Sequence, residues 1–168
     1  MQNIIFIHGL ESTGKGFKAQ LLKKFFPQCL TPDFEAYIPH MSVNLLLEKR
    51  MNQLSKILDE KDSWIIIGSS FGGLMGAIYA CNHPQKIKKL ILLAPYLSSP
   101  LLNPKDFSPI NIPVIIFHGK HDSVVSMKNS RIRAQKLFIN LTYNLVNDDH
   151  KLQKTTKNID WKRLILNS

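Results

Sequence analysis

Short, continuously apolar runs alternate with amphipathic stretches along almost the whole chain. The runs are rich in isoleucine and lack a polar face, which is typical of strands buried on both sides of a parallel sheet. This pattern predicts six strands, at residues 3–8, 29–31, 63–68, 89–94, 114–118 and 141–146.

The stretches between these runs carry apolar residues at three- and four-residue spacing, as helices with one buried face do. Helices are predicted at residues 17–25, 43–58, 74–81, 127–138 and 152–166. Ser42 is placed to cap the second of them. The alternation predicts a three-layer α/β fold, with a mostly parallel sheet of about six strands between two layers of helices.

Residues 95–113 interrupt this alternation. Proline at high density opposes both helix and inner strand, so the segment is predicted to be an ordered loop or at most a short turn of helix. With no repeat, low-complexity stretch or linker elsewhere, the 168 residues are expected to form a single domain. The prolines of the segment are Pro95, Pro100, Pro104, Pro109 and Pro113.

The sequence Gly68-Ser69-Ser70-Phe71-Gly72 lies where a predicted strand meets a predicted helix. A serine at a sharp strand-to-helix turn is held with its hydroxyl exposed. Crowding at such a turn leaves room only for hydrogen two positions before and two positions after the serine. Ser70 has glycine at both positions, whereas Ser69 has Phe71 two residues on. Ser70 is therefore the candidate nucleophile.

A serine hydroxyl needs a base to take its proton, and the base needs a carboxylate to fix its tautomer. Asp122 follows the strand at 114–118, and His150 follows the last strand. Ser70, Asp122 and His150 thus all follow the carboxyl ends of parallel strands, the edge at which open α/β sheets gather ligand-binding groups. Asp106, in the proline-rich segment, is a weaker alternative for the acid.

The reaction also needs donors for the negative charge that develops on the substrate oxygen. The backbone N–H of Phe71 qualifies, because it follows the candidate nucleophile and opens a helix. A second N–H is expected from Leu10, in the loop after the first strand, where Gly9 permits an unusual turn. His8 and His118 are expected to brace their loops by hydrogen bonding to the backbone.

These motifs resemble those of the α/β-hydrolase family. Four segments match: residues 5–9, which lead into the loop that carries Leu10, and residues 68–73, which form the strand-to-helix turn around Ser70. The other two are residues 117–125, which contain Asp122, and residues 149–150, which contain His150. The resemblance implies Ser70 as nucleophile, His150 as general base and acid, and Asp122 as the orienting carboxylate. It implies the N–H groups of Leu10 and Phe71 as the oxyanion hole. The small size is similar to that of the compact YqiA-like bacterial esterases.

Two features depart from the family pattern. The usual N-terminal antiparallel hairpin is absent. The lid that many relatives insert before the strand leading to the acid is reduced to residues 95–113. The first departure leaves the catalytic groups in place, whereas the second removes the part that usually selects the substrate. Glu11, Ser12 and Tyr96 are candidates for lining the mouth of the site.

The residues and the resemblance together predict a serine hydrolase that cleaves carboxylic esters or thioesters through an acyl-enzyme, with no metal or organic cofactor. Two other classes stay open. Residues 9–16 match the phosphate-binding pattern Gly-x-x-x-x-Gly-Lys, although Gly16 stands where a magnesium-binding Ser or Thr is needed. A hydrolase-like fold can also serve as a non-catalytic interaction module, typically after losing a triad residue.

The excess of basic over acidic residues has little effect on which binding partners are expected. Lys and Arg number 22 against 12 acidic residues, which gives a net charge of +10. Pairs such as Lys49-Arg50 and Lys88-Lys89 fall on helix faces or beside strands, which favours a solvated basic surface. Besides a small ester or thioester substrate, an acidic acyl carrier protein is retained as a possible partner, and no nucleic acid is expected.

The cysteines and the first apolar run bear on location. Cys29 and Cys81 have no metal-binding or redox spacing and are expected to be apolar fillers. The first apolar run is too short for a signal peptide or a membrane span, so the cytoplasm is the expected compartment.

Overall fold

In the computed structural model, which describes residues 2–167, five strands form one sheet in which every neighbouring pair is parallel. They lie side by side in their order along the chain. The predicted α/β class is confirmed, and the first and last residues of the predicted domain lie outside the described part. The strands are β1 (Asn3–Ile7), β2 (Trp64–Ser69), β3 (Ile87–Leu93), β4 (Val114–Gly119) and β5 (Leu141–Val146).

The segment predicted as a sixth strand, residues 29–31, makes a single parallel bridge between Leu30 and Ile5 at the outer edge of β1. The N–H of Leu30 donates to the carbonyl of Ile4 at 2.9 Å. Pro32 follows at once and has no N–H to continue the ladder. The outer edge of the sheet is therefore one bridge long rather than a full strand.

Among the described residues, 2–167, six α-helices occupy the amphipathic stretches. As predicted, Ser42 caps the second helix, where its hydroxyl accepts the N–H of Leu45 at 3.3 Å. The single terminal helix predicted at 152–166 is wrong, because Asp160 caps a new helix by accepting the N–H of Arg163 at 3.0 Å. The helices are α1 (Phe17–Phe25), α2 (Val43–Leu58), α3 (Phe71–Asn82), α4 (Met127–Leu137), α5 (Gln153–Asn158) and α6 (Trp161–Leu166). Among residues 2–167, no helix is both long enough and apolar enough to cross a membrane.

Right-handed crossovers decide which face of the sheet each helix covers. Helices α2, α3 and α4 precede strands that advance in one direction across the sheet, so they share one face, with Leu54, Met75 and Ala134 in the core there. Helix α1 leads back to the outer bridge at Leu30 and lies on the opposite face, where Trp161 of α6 joins it. The interior strand β2, which lies between β1 and β3, is consequently buried along its whole length.

Residues 95–113 form a loop with one short 3₁₀ turn, Pro104–Asp106, in agreement with the prediction. Arg133 of α4 holds the first part of this loop. Its Nη1 donates to the carbonyls of Leu97 at 2.9 Å and Leu102 at 2.8 Å, and also to that of Ser99. The guanidinium thereby satisfies carbonyls in a segment that has no ladder of its own.

Two basic residues that were expected in solvent are buried. Lys49 and Lys88 are exposed, but their neighbours Arg50 and Lys89 are only 0% and 4% exposed. The Lys89 ammonium donates to the carbonyl of Leu164 at 2.6 Å, which fastens α6 to the sheet. The expectation of a wholly solvated basic surface is therefore wrong at these two positions.

Candidate active site

Ser70 stands between β2 and α3 in a backbone conformation that L-residues seldom adopt, with φ 53° and ψ −115°. Its N–H donates to the carbonyl of Leu93 at 3.0 Å, which ties the turn to β3. A side chain at Gly68 would place Cβ 2.6 Å from the carbonyl oxygen of Gly72. The two glycines therefore permit the close approach that holds the Ser70 hydroxyl above the sheet.

Three predicted residues meet at the carboxyl edge of the sheet. The Oγ of Ser70 lies 3.0 Å from Nε2 of His150, and Nδ1 of His150 lies 2.7 Å from Oδ2 of Asp122. A carboxylate can only accept, so the Nδ1–H of His150 donates to Asp122 and leaves Nε2 free to accept the Ser70 proton. The structure thus brings together the candidate nucleophile, base and acid, in the order that acyl transfer would need.

The side chain of Asp122 is fully buried, and its carboxylate accepts four hydrogen bonds. Oδ1 accepts the N–H groups of Val124 and Val125, each at 2.8 Å, and Oδ2 accepts from His150 and from Nε2 of His118 at 3.0 Å. Burial alone would raise the pKa of Asp122, but the bonds from Val125, His150 and Val124 outweigh it and hold the pKa below its ordinary value. The carboxyl group is therefore ionised.

His118 was expected to brace its loop through the backbone, but its two ring hydrogen bonds go to side chains. Besides Asp122, the ring contacts the hydroxyl of Tyr143, 2.8 Å from Nδ1. Because Nε2 must carry a proton to donate to Asp122, Nδ1 of a neutral ring accepts the proton of Tyr143. Burial lowers the pKa of His118, against the opposing charge of Asp122, and burial raises the pKa of Tyr143.

The loop that carries His150 is held by its own carboxylates. Oδ2 of Asp148 accepts the N–H and the hydroxyl of Thr155, both at 2.8 Å, and Oδ1 of Asp149 accepts the N–H of Lys151 at 2.9 Å. These bonds fix the turn on either side of the imidazole. The candidate base His150 is thus presented by a hydrogen-bonded turn after β5.

The loop after β1 passes beside Ser70. A Cβ built on Gly9 would lie 3.6 Å from the Cβ of Ser70. Neither Leu10 nor Phe71 donates its backbone N–H to another protein group among residues 2–167. Both predicted oxyanion donors thus line the same cleft as Ser70, with N–H groups that no described protein group accepts.

Two buried side chains orient this loop, and one of them was missed in the sequence. The Nδ1–H of His8 donates to the carbonyl of Gly9 at 2.8 Å, and its Nε2 accepts the N–H of Phe34 at 3.0 Å, so His8 braces the loop as predicted. Arg50 donates to the carbonyls of Gly9 at 3.2 Å and Leu10 at 2.9 Å. A signal was present, because position 50 falls within the apolar stripe of α2, midway between Leu46 and Leu54.

A cleft of about 1010 Å³ opens over Ser70 and His150. The three predicted lining residues, Glu11, Ser12 and Tyr96, all lie in its wall. Two lysines, Lys18 and Lys151, also line it, and nothing in the sequence marked them. Burial lowers the pKa of Lys18, while the charges of Asp149 and Asp148 act in the opposite sense. The remaining wall is largely apolar and includes Leu10, Val43, Phe71, Leu101 and Val124.

The thiols are poorly suited to nucleophilic attack. Cys29 is buried and Cys81 is half-buried, and burial raises the pKa of each to about 12. Both cysteines thus carry neutral thiols at neutral pH. Among residues 2–167, no three His, Cys, Asp or Glu side chains cluster as metal ligands.

The segment that resembles a phosphate-binding loop uses its amides within the protein. The N–H of Gly14 donates to Oδ1 of Asp33 at 2.7 Å, and the N–H of Gly16 donates to the carbonyl of Thr13 at 3.1 Å. The N–H of Lys15 donates to the hydroxyl of Thr13 at 3.2 Å. A phosphate cradle needs converging free amides, and a carboxylate already occupies one of these.

Comparison with known proteins identifies the family. The model of the alpha/beta hydrolase family matches residues 15–152, and the chain therefore belongs to the alpha/beta hydrolase family. Among characterised sequences, acyl-protein thioesterase 1 homolog 2 of Dictyostelium discoideum is 27% identical over 161 residues. The match covers 74% of this chain and 72% of that protein.

Solved structures share the fold at low identity. Alpha/beta hydrolase domain-containing protein 10 from mouse superposes with a TM-score of 0.71 at 21% identity, over 92% of this chain and 84% of that one. Est1E from Butyrivibrio proteoclasticus, solved with ferulic acid bound, gives a TM-score of 0.77 at 16% identity, over 98% and 88%. Both likenesses are likenesses of fold.

Proposed function

We propose that this hydrolase cleaves carboxylic esters or thioesters through an acyl-enzyme formed on Ser70. The observation that carries the proposal is the unbroken series of contacts from Ser70 Oγ to His150 at 3.0 Å and from His150 to Asp122 at 2.7 Å. That series opens into a cleft large enough for a substrate.

In the proposed acylation step, Ser70 Oγ attacks the substrate carbonyl carbon and its proton passes to Nε2 of His150. The carbonyl oxygen becomes an oxyanion, which the N–H groups of Leu10 and Phe71 stabilise. The tetrahedral adduct then collapses, the bond to the leaving group breaks, and His150 gives its proton to the departing alkoxide or thiolate.

Deacylation repeats these steps with water in place of the leaving group. His150 takes a proton from water, hydroxide adds to the acyl carbon, and Ser70 leaves as its hydroxyl with the proton returned from His150. Asp122 stays ionised throughout and stabilises the imidazolium form of His150. The four hydrogen bonds that its carboxylate accepts support this role.

Esters and thioesters are proposed because oxyanion stabilisation and a protonated base suffice to expel an alkoxide or thiolate. The similarity to a protein named as an acyl-protein thioesterase agrees with thioesters as substrates. The apolar wall formed by Leu10, Leu101 and Val124 suits an acyl chain. A kinetic panel of p-nitrophenyl esters and acyl thioesters of increasing chain length, measured on wild type and Ser70→Ala, tests the proposal. Equal turnover by the two proteins would reject it.

A carrier-borne acyl group in the cytoplasm is the more specific version of this proposal. The net charge of +10, with Lys18 and Lys151 in the wall of the cleft, suits an acidic acyl carrier protein. The KM for an acyl-carrier substrate is then expected to rise steeply with salt, since surface charge contacts are screened. The KM for a neutral p-nitrophenyl ester serves as the control and is expected to stay level. A carrier KM that ignores salt would reject the partner while leaving the hydrolase proposal intact.

A further inference from the structure

Arg50 is a buried cation directly beneath the candidate active site. Its side chain is fully buried, although position 50 belongs to a helix whose polar face is exposed. The charge of Glu35 acts on Arg50 from a distance, but the Glu35 carboxylate forms its ion pair with Lys49, at 3.5 Å. Burying a charge without a carboxylate partner is costly, so a chain that retains one must satisfy it in another way.

Three backbone carbonyls accept hydrogen bonds from the Arg50 guanidinium. Nε of Arg50 donates to the carbonyl of Glu35 at 2.8 Å, Nη1 to that of Gly9 at 3.2 Å and Nη2 to that of Leu10 at 2.9 Å. Only a planar guanidinium presents donors in a fixed fork of this kind. Two of its three partners belong to the loop that carries one predicted oxyanion donor.

Arg50 and His8 both donate to the Gly9 carbonyl, at 3.2 Å and 2.8 Å, and together they fix where the Leu10 N–H points. The peptide bonds of the described chain are all trans, and in a trans peptide the carbonyl and the following N–H point in opposite directions. Because the Gly9 carbonyl faces Arg50, the N–H of Leu10 is directed away from the guanidinium. Gly9 itself lies against Ser70, so the orientation of this one peptide decides whether a donor is available beside the nucleophile.

Arg50 also touches the other half of the oxyanion hole. Its Cζ lies 5.4 Å from the centre of the Phe71 ring, over the ring face, which is the geometry of a cation–π contact. Phe71 supplies the second predicted N–H and is itself buried. One guanidinium therefore contacts both segments whose amides must converge on a single oxygen.

We propose that Arg50 is a positioning residue that holds the Leu10 and Phe71 N–H groups in the arrangement that binds the oxyanion. The inference rests on the proposed acyl-enzyme mechanism. An oxyanion hole acts only on the tetrahedral species, so loss of Arg50 should slow the chemical step while leaving substrate binding nearly unchanged.

The test compares Arg50→Lys and Arg50→Met with wild type on one p-nitrophenyl ester. Lysine keeps the charge but lacks the fork, and methionine removes both. We expect kcat to fall about 100-fold in each, as displacement of a single oxyanion donor costs, with KM within about threefold. A trifluoromethyl ketone mimics the tetrahedral species, because the serine oxygen adds to its carbonyl carbon and gives a tetrahedral alkoxide. Its inhibition constant should rise in parallel with the loss of kcat.

Lys49→Met is the matched control, because Lys49 is the exposed neighbour on the same helix and contacts neither donor segment. Its kcat and inhibition constant should equal those of wild type. Folded Arg50 variants with unchanged kcat would overturn the proposal, as would a loss of kcat without weaker ketone binding. Failure of both variants to fold would assign Arg50 to stability alone and would also overturn it. Labelling of wild-type Ser70 by a fluorophosphonate, run alongside, separates these results from a failure of the proposed mechanism.

Discussion

Nε2 of His118 and Nδ1 of His150 approach the same carboxylate oxygen, Oδ2 of Asp122, at 3.0 Å and 2.7 Å. His118 thus shares one oxygen of the candidate acid with the candidate base. With two backbone amides on the other oxygen, the carboxylate has its acceptor sites filled by protein donors. Its ionisation and its orientation are therefore set by donors of the protein, of which His118 lies outside the lining of the cleft.

Tyr143→Phe should destabilise the fold by about 1–3 kcal/mol, because it leaves the buried Nδ1 of His118 without a donor. Urea unfolding of the two proteins measures the difference. Tyr37→Phe is the control, since Tyr37 makes no side-chain hydrogen bond among residues 2–167, and it should change stability by less than about 0.5 kcal/mol. Equal stability of Tyr143→Phe and wild type would contradict the described hydrogen bond.

Acid should weaken the fold through its buried histidines. Burial lowers the pKa of both His8 and His118 from the ordinary 6.5. Below that pH, these two histidines therefore bind protons in the unfolded chain while they stay neutral in the folded chain. The contribution of these histidines to stability is therefore fully present above about pH 6.5. Below that pH the free energy of unfolding falls, by up to about 1.4 kcal/mol per pH unit for each histidine. The lowered pKa of Asp122 acts separately, with its contribution lost only as pH falls below its ordinary 3.8.

Urea unfolding between pH 7.5 and pH 5.0 measures this dependence. His118→Gln removes one of the two titrating groups and should flatten the slope, although its stability at pH 7.5 is lower. The groups around His118 are Asp122, His150 and Tyr143, with Arg131 over the tyrosine ring. A wild-type stability that is level from pH 7.5 to 5.0 would contradict the account.

Asp122→Asn should lower kcat by about four orders of magnitude while preserving the fold, because an amide can donate to Nδ1 and stabilise the wrong tautomer of His150. Steady-state kinetics on a p-nitrophenyl ester measures the loss. Asp106→Asn discriminates between the two carboxylates considered from the sequence. Asp106 lies in the 3₁₀ turn of the proline-rich loop and contacts Asn103, so its replacement should leave kcat within about twofold. The reverse ranking would transfer the acid role to Asp106.

Gly68→Ala should destabilise the protein by about 3 kcal/mol, because its Cβ would lie 2.6 Å from the carbonyl oxygen of Gly72 and neither backbone can move freely. Gly9→Ala is the matched control for stability, since its Cβ meets only ordinary contacts at 3.6 Å. Thermal and urea unfolding of both variants measure the difference. A Gly68→Ala protein as stable as Gly9→Ala would show that the turn is less crowded than described.

Much of the fold could be predicted because its signals are local. Continuous apolar runs mark strands such as β2, and Ser42 marks the start of a helix by a hydroxyl that caps it. The failures occur where a single residue changes the outcome. Pro32 ends the outer edge after one bridge, and Asp160 starts a new helix within a continuous pattern.

The candidate site divides in the same way. Ser70, Asp122 and His150 could be assigned because each follows a strand at the same edge of the sheet. Arg50 and His118 could not, since their roles depend on which loops pack against them, although each occupies a buried position of its element. The cleft was the least predictable part, because its walls come from segments far apart in the chain, as Lys18 and Lys151 illustrate.

Covalent labelling by a fluorophosphonate tests the central proposal most directly, with the modified residue located by mass spectrometry. If Ser70 is the nucleophile, a single adduct forms on Ser70 of wild type and of Ser69→Ala. No adduct forms on Ser70→Ala or on wild type denatured beforehand. An adduct that persists in folded Ser70→Ala, or that maps to Ser69 in wild type, would contradict the assignment of Ser70 as the nucleophile.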